Sequence, residues 1–259
     1  MEYSWQMKEF NVEKLAVSVY DNREEMGKAA GEQFYKAVKS RLQTKDSLNI
    51  IFAAAPSQND FLEAIKGYKD IEWEKINVFH MDEYVGLSIE EKQSFAGFVK
   101  KRVVDNFNVK AFYPINGAHS NVDLECERYA KLLEENKVDI VCCGIGENGH
   151  LAFNDPGVAE FEDKKAVKVI ELDEICRHQQ VHDGCFATID DVPKNAITLT
   201  IPTLISADEI ICVVPCKTKA QAVYQVVKGE VTEDCPASVL RRHKNATLYC
   251  DKDSAEKVI

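Results

Sequence analysis

A histidine, two adjacent carboxylates and two lysines stand just past apolar runs in this chain. Together they could move protons on a small anionic molecule. The histidine is His150, in the stretch 138–157, VDIVCCGIGENGHLAFNDPG. The run Ile140-Val141-Cys142-Cys143 reads as a strand buried on both faces. Glycines at 144, 146 and 149 then let the backbone turn sharply and approach a ligand. Glu147, Asn148, His150, Asn154 and Asp155 follow at once. A second apolar run, 76–81, ends in Asp82 and Glu83, and a third, 47–55, is broken by Pro56 before Ser57 and Gln58. Lys217 and Lys219 follow a fourth run that closes at Pro215. A carboxylate pair and a histidine suit general acid–base work. Cations and amides at helix N-termini suit a phosphate.

These groups converge only if the apolar runs lie side by side. The pattern predicts strands at 15–20, 47–55, 76–81, 111–115, 140–143, 166–172, 196–201, 209–214 and 246–251. Helices are predicted between them, including one from Asp21 to about Leu42 with Asp21 and Glu24 as a capping box. Further helices are predicted at 94–107, 123–135, 202–207, 218–228 and 236–242. Residues 173–183 read as a helix or an ordered lid. Alternating strands and helices predict an α/β fold in one domain, residues 1–259, with a mostly parallel sheet covered by helices on both faces. The C-terminal strand ends of such a sheet line one crevice. His80 reads as structural, and Cys142 and Cys143 lie inside a strand rather than at its end. Gly144-Ile145-Gly146 lacks the full dinucleotide pattern, so no nicotinamide cofactor is inferred.

Composition narrows the function. The chain has 259 residues, 45% hydrophobic and 29% charged, with a net charge of −11. That is a soluble globular composition with no basic stripe for nucleic acid. The 9 cysteines are odd in number and lack zinc-finger spacing, so reduced thiols in a cytoplasmic protein are expected. The opening MEYSWQMKEF has no leader pattern, and no apolar run approaches the ~20 residues of a membrane span.

The runs 81–87 (MDEYVGL) and 144–157 (GIGENGHLAFNDPG) resemble the glucosamine-6-phosphate deaminases, also called glucosamine-6-phosphate isomerases. Lys217-Thr218-Lys219-Ala220 and the run 236–240 with His243 agree in order and spacing. The resemblance extends from the second predicted strand to the C-terminus. The related 6-phosphogluconolactonases usually carry Asp-Glu-Arg after the third strand, whereas Tyr84 and the run 152–154 favour the deaminase branch. The resemblance implies a Rossmann-like, doubly wound fold with no organic cofactor and no catalytic metal. It also implies conversion of an amino-sugar 6-phosphate and water to a ketose 6-phosphate and ammonia, and a homo-oligomer. By that pattern His150 opens the sugar ring, Asp82 moves a proton between C2 and C1, Asn148 and Asp155 orient the histidine, and Lys219 binds phosphate.

The chain departs from the family at three places. Asn148 stands for a common aspartate. Asp155 stands for a glutamate, and the lost methylene puts its contact with His150 in question. The glycine-glycine-threonine-proline phosphate loop is replaced by Ala54-Ala55-Pro56-Ser57-Gln58-Asn59. Ser57 and the amides near Gln58 are the candidates to hold phosphate there, with Asp60 opposing it. Glu83 is a further candidate substrate contact, and Arg177 is the candidate for the family's lid arginine. The leading expectation is a deaminase acting on glucosamine 6-phosphate or galactosamine 6-phosphate. The alternatives are a non-catalytic phosphosugar-binding protein and a 6-phosphogluconolactonase.

Overall fold

The computed structural model describes residues 6–182 and 184–259. The first residues read for a leader, and Asp183 at the end of the lid, lie outside them. The strands are β1 (Gln6–Val12), β2 (Leu15–Tyr20), β3 (Leu48–Phe52), β4 (Ile76–His80), β5 (Asp82–Tyr84), β6 (Ala111–Tyr113), β7 (Ile140–Cys143), β8 (Val167–Glu171), β9 (Asn195–Leu199), β10 (Glu209–Val214) and β11 (Ala246–Asp251). The helices are α1 (Arg23–Arg41), α2 (Asn59–Ile65), α3 (Phe95–Arg102), α4 (Val122–Glu135), α5 (Glu174–His182), α6 (Ile201–Ile205) and α7 (Ala220–Lys228).

Eight strands pair in the order β1-β2-β11-β10-β7-β3-β4-β6. All neighbours are parallel except the β1–β2 hairpin. The apolar runs become central strands because both their faces are covered. On one face Ile50, Phe52, Ile140, Cys142, Ile211 and Val213 pack with Met26, Phe34 and Phe61 of α1 and α2. On the other, Ile51, Val141, Cys143, Cys212 and Val214 pack with Tyr129 and Leu133 of α4 and Val223 and Val226 of α7. Burying each such side chain contributes about 1.5–3 kcal/mol. The chain runs outward from β3 to β4 and β6, then returns to β7 on the other side of β3. That reversal opens a crevice at the C-terminal ends of β3 and β7, where a doubly wound sheet binds its ligand.

Several sequence expectations differ in detail. The hairpin strand β1 was not anticipated, and its turn holds Glu13 at φ 54°. The α1 N-cap is Asn22, whose side chain accepts from the Glu25 amide at 3.0 Å, not Asp21. The helix read at 94–107 stops at Arg102, because Val103 takes φ −115° and only a 3-10 turn follows. Residues 236–242 form a 3-10 helix. A second sheet, β5-β9-β8, is antiparallel and lies beside the first. Its core is Tyr84, Phe95, Phe153, Ile170 and Phe186.

The link between the two sheets is His80. Its Nε2 accepts from the Ile115 amide at 2.8 Å, so Nδ1 carries the proton and donates to the Asp82 carbonyl at 3.0 Å. Burial lowers the His80 pKa to about 4. Between about pH 6.5 and pH 4 the unfolded chain takes up a proton here that the folded chain refuses. Stability therefore falls as pH drops through that window. An NMR titration of the folded protein should find this imidazole neutral at pH 6, and a midpoint near 6.5 would contradict the burial argument.

Candidate active site

Asp82 and His150 are carried by different segments but share one rail, β9. Asp82 pairs with Thr198 of β9, and the Leu199 amide donates to the Met81 carbonyl at 2.9 Å. The turn bearing His150 is fastened to the same strand. The Phe153 amide donates to Thr198 Oγ1 at 3.1 Å, and the buried Asn154 amide group donates to the Leu199 carbonyl at 2.8 Å. The strand ends thus hold the two groups in fixed relation at the crevice.

The turn itself needs glycine. The Gly146 amide donates to the His150 carbonyl at 3.0 Å, so the chain folds back on itself. A Cβ on Gly146 would meet the imidazole at 2.1–2.3 Å. Gly149 holds φ +87°, and Ala152, a residue with a side chain, holds φ 50°. Backbone strain of this kind gathers at functional sites.

His150 Nδ1 lies 2.8 Å from Oδ1 of the fully buried Asp155. The shorter acid therefore reaches the ring directly, and no relay through water is needed. Nδ1 is buried against this carboxylate, so Nε2 is the nitrogen available to a ligand. Asn148 does not touch the ring. Its Nδ2 donates to Asp155 Oδ1 at 3.0 Å, and its Oδ1 accepts from the His150 backbone amide at 3.2 Å. It holds the carboxylate and the backbone, and orients the imidazole through Asp155. Burial alone would raise the Asp155 pKa, but His150, Asn148 and the nearby Cys176 thiol outweigh it and hold the carboxyl below its ordinary value. Burial pushes the Cys176 thiol far up, so it stays protonated. The ligand atoms of His150, Asp155 and Cys176 lie within 4.8 Å of one another, a spacing that could also admit a metal ion.

Asp82 is different. No described residue donates a hydrogen bond to its carboxylate, and burial, with Glu83 beside it, pushes its pKa well above the ordinary value. A carboxyl raised in this way is a stronger base and gives up its proton less readily, as proton transfer to and from carbon requires.

A cavity of ≈ 270 Å³ is lined by Ser57, Asp82, Gly144, Gly146, His150 and Lys219, with residues of the α5 segment on one side. Asp82, His150, Ser57 and Lys219 are thus brought together. The remaining candidates do not line it. Gln58 is buried and donates to Ser57 Oγ and to the Val213 carbonyl, both at 3.2 Å. Glu83 accepts from the Tyr84, Phe95 and Ala96 amides and from Ser94 Oγ. It pins the start of α3 rather than facing a ligand. Replacing Glu83 with glutamine turns an amide NH₂ towards two of these donors, and a loss of about 1–3 kcal/mol is expected from urea unfolding. An unchanged midpoint would remove this role. Arg177 is corrected as a lid arginine, because its Nη2 donates to the Ile189 and Val192 carbonyls at 2.6 and 3.1 Å. The guanidinium braces the loop after α5 and lies outside the cavity lining.

Sequence reasoning missed Arg23, Gln179, Gln180, Cys185 and Cys216, all of which line the cavity. Gln179 Oε1 accepts from the Glu147 amide at 3.0 Å and pins α5 to the glycine turn. Arg23 was readable, since it follows the C-terminal end of β2, another strand of the same parallel set. The rule that singled out Asp82 and His150 applies there too.

Comparison with known proteins agrees with this geometry. A family model described as glucosamine-6-phosphate isomerases/6-phosphogluconolactonase matches residues 21–249. A glucosamine-6-phosphate deaminase of Bacillus cereus is 32% identical over 240 residues, covering 93% of this chain and 88% of that one. A deaminase of the same name from Bacillus cytotoxicus is 33% identical over 240 residues with the same coverage, 93% and 88%. A solved structure described as a monomeric glucosamine-6-phosphate deaminase superposes with a TM-score of 0.84 at 27% identity, covering 93% of this chain and 98% of that one. A 6-phosphogluconolactonase from Thermotoga maritima shares the fold with a TM-score of 0.74 at 15% identity, covering 92% and 100%. With the family model covering most of the chain and both motif turns inside it, the chain belongs to the glucosamine-6-phosphate isomerase/6-phosphogluconolactonase family.

Proposed function

We propose that this protein is an amino-sugar-phosphate deaminase. It converts glucosamine 6-phosphate, or its C4 epimer galactosamine 6-phosphate, and water to a ketose 6-phosphate and ammonia. The observation that carries this reading is the pairing of a buried Asp82, whose carboxylate accepts no hydrogen bond from a described residue, with the His150–Asp155 dyad across one small cavity. His150 Nε2 takes the proton of the anomeric hydroxyl and returns one to the ring oxygen, so the pyranose opens. Asp82 then removes the proton from C2 of the open aldose and delivers it to C1. As that proton reaches C1, the C1 carbonyl oxygen gains a proton given up by the C2 ammonium, so C1 becomes a hydroxymethyl group and C2 an iminium, which water hydrolyses to the ketone with release of ammonia. Asp155 holds the imidazole in one tautomer. Lys219, which lines the same cavity, is the residue to which we assign the phosphate.

The deaminases named among its relatives, at 32–33% identity, support this reading over the lactonase, whose solved structure from Thermotoga maritima is 15% identical and shares the fold. We place the enzyme in the cytoplasm, in keeping with its odd number of cysteines, 9, and treat residues 1–259 as one domain. No helix among the described residues is long and apolar enough to cross a membrane. Assembly as a homo-oligomer remains part of the proposal, although one similar structure is described as monomeric. Purified protein should release ammonia from glucosamine 6-phosphate or galactosamine 6-phosphate and should not hydrolyse 6-phosphogluconolactone. Ammonia from neither sugar would overturn the assignment.

A further inference from the structure

We infer that Arg23 is a phosphate-holding residue, working with Lys219 in place of the missing glycine-rich loop and of an arginine from the lid. This rests on the amino-sugar-phosphate reading. Arg23 opens α1 and lies across the mouth of the cavity, where its side chain is 40% exposed. Arg23 and Lys219 are the Lys and Arg residues among the described residues that line that cavity.

The guanidinium is held from behind. Its Nε and Nη2 both lie 2.6 Å from Asp60 Oδ2, and Nη2 also donates to the Pro56 carbonyl at 3.3 Å. Asp60, which reads in the sequence as an obstacle to a phosphate, is therefore neutralised by an arginine and serves as its anchor. Among the described residues, the hydrogen-bond partner of the third nitrogen, Nη1, is the Cys216 sulfur, at 3.6 Å. Sulfur is a weak acceptor. An edge of the fork thus remains poorly satisfied while the opposite edge is clamped.

That weak edge faces the segment carrying Lys219. Cys216 sits at φ 80°, where a side chain is strained, and its amide is gripped by both Asp251 carboxylate oxygens at 3.2 and 3.1 Å. The turn is held in this conformation with its sulfur against Arg23. Ser57 Oγ, which accepts from Gln58, keeps its own proton to donate. A phosphate between Ser57, Lys219 and Nη1 would replace a weak sulfur acceptor with charged oxygen, the geometry arginine favours. Arg177, committed to two backbone carbonyls, does not compete for this task.

The test uses the whole protein and three variants: Arg23→Gln, Arg23→Lys and the control Lys100→Gln on the far side of α3. Two readouts are taken, steady-state kinetics with glucosamine 6-phosphate and the thermal shift produced by inorganic phosphate. Arg23→Gln should raise KM about 10- to 100-fold with a much smaller change in kcat, and should abolish the phosphate-induced shift. Arg23→Lys keeps the Asp60 pair but not the fork, and should recover only part of both. An unchanged KM, or a phosphate shift kept in Arg23→Gln, would overturn the inference. If Arg23→Gln does not fold, Arg23→Lys decides: a wild-type KM and phosphate shift would overturn it. If wild type releases no ammonia from any amino-sugar phosphate, the deaminase reading fails, and the phosphate shift still decides the role of Arg23.

Discussion

Replacing Asp82 with asparagine is expected to lower kcat by roughly 10²- to 10⁴-fold, the range a positioned general base supplies. Folding should not suffer. The carboxyl accepts no hydrogen bond from a described residue, is buried and has Glu83 beside it, so its charge is unfavourable to the folded state. The amide removes that charge at nearly constant volume, and the melting temperature at neutral pH should stay level or rise. The combination separates catalysis from structure, since a residue that merely held the fold would lose both together. Wild type should also show an acidic limb of kcat/KM above the ordinary carboxylate range, because the raised pKa keeps Asp82 protonated to higher pH. Full activity in the variant, or a large fall in melting temperature, would contradict the proton-shuttle role.

Adding one methyl group at Gly146 should be nearly as damaging. An alanine Cβ there would lie 2.1 Å from His150 Cε1 and 2.2 Å from Nε2. The neighbour is a ring held by Asp155 at 2.8 Å and anchored by its own backbone, so it cannot yield without leaving that contact. Displacement of a catalytic group by about 1 Å can cost 10²-fold in rate, and a loss of about that size in kcat/KM is expected. Overpacking adds about 1–3 kcal/mol of instability. Gly157 provides the control. It holds φ +82° with nothing within 4 Å of an added Cβ. Gly157→Ala should therefore carry backbone strain but leave kcat close to wild type. Equal kinetic damage from the two substitutions would mean that the glycines matter only for backbone conformation.

Which features could be read from the residues follows from their physics. The central strands β3, β4, β7 and β10 are buried on both faces, so they appear as largely apolar runs. The polar residues that end them stand out by contrast. Asp82, His150, Ser57 and Lys219 were found in this way, and they line the cavity together. Strand β5 has three residues, too few to show a period of two, and so the second sheet escaped notice. The contact between Asp155 and His150 depends on how tightly the turn closes, which Gly146 and β9 decide and residue types do not. Arg177 drew attention by its place in the lid, but its loop carbonyls claim it. Arg23 and Asp60 are 37 residues apart, and only the packing of α1 against α2 makes them a pair.

The most direct test of the mechanism is the fate of hydrogen at C2. The protein is incubated with glucosamine 6-phosphate deuterated at C2, and the products are followed by NMR and mass spectrometry. Proton transfer by a single carboxylate predicts slowed turnover, a ketose 6-phosphate as product and part of the deuterium at its C1. Ammonia released together with an aldose 6-phosphate that still carries deuterium at C2 would contradict it.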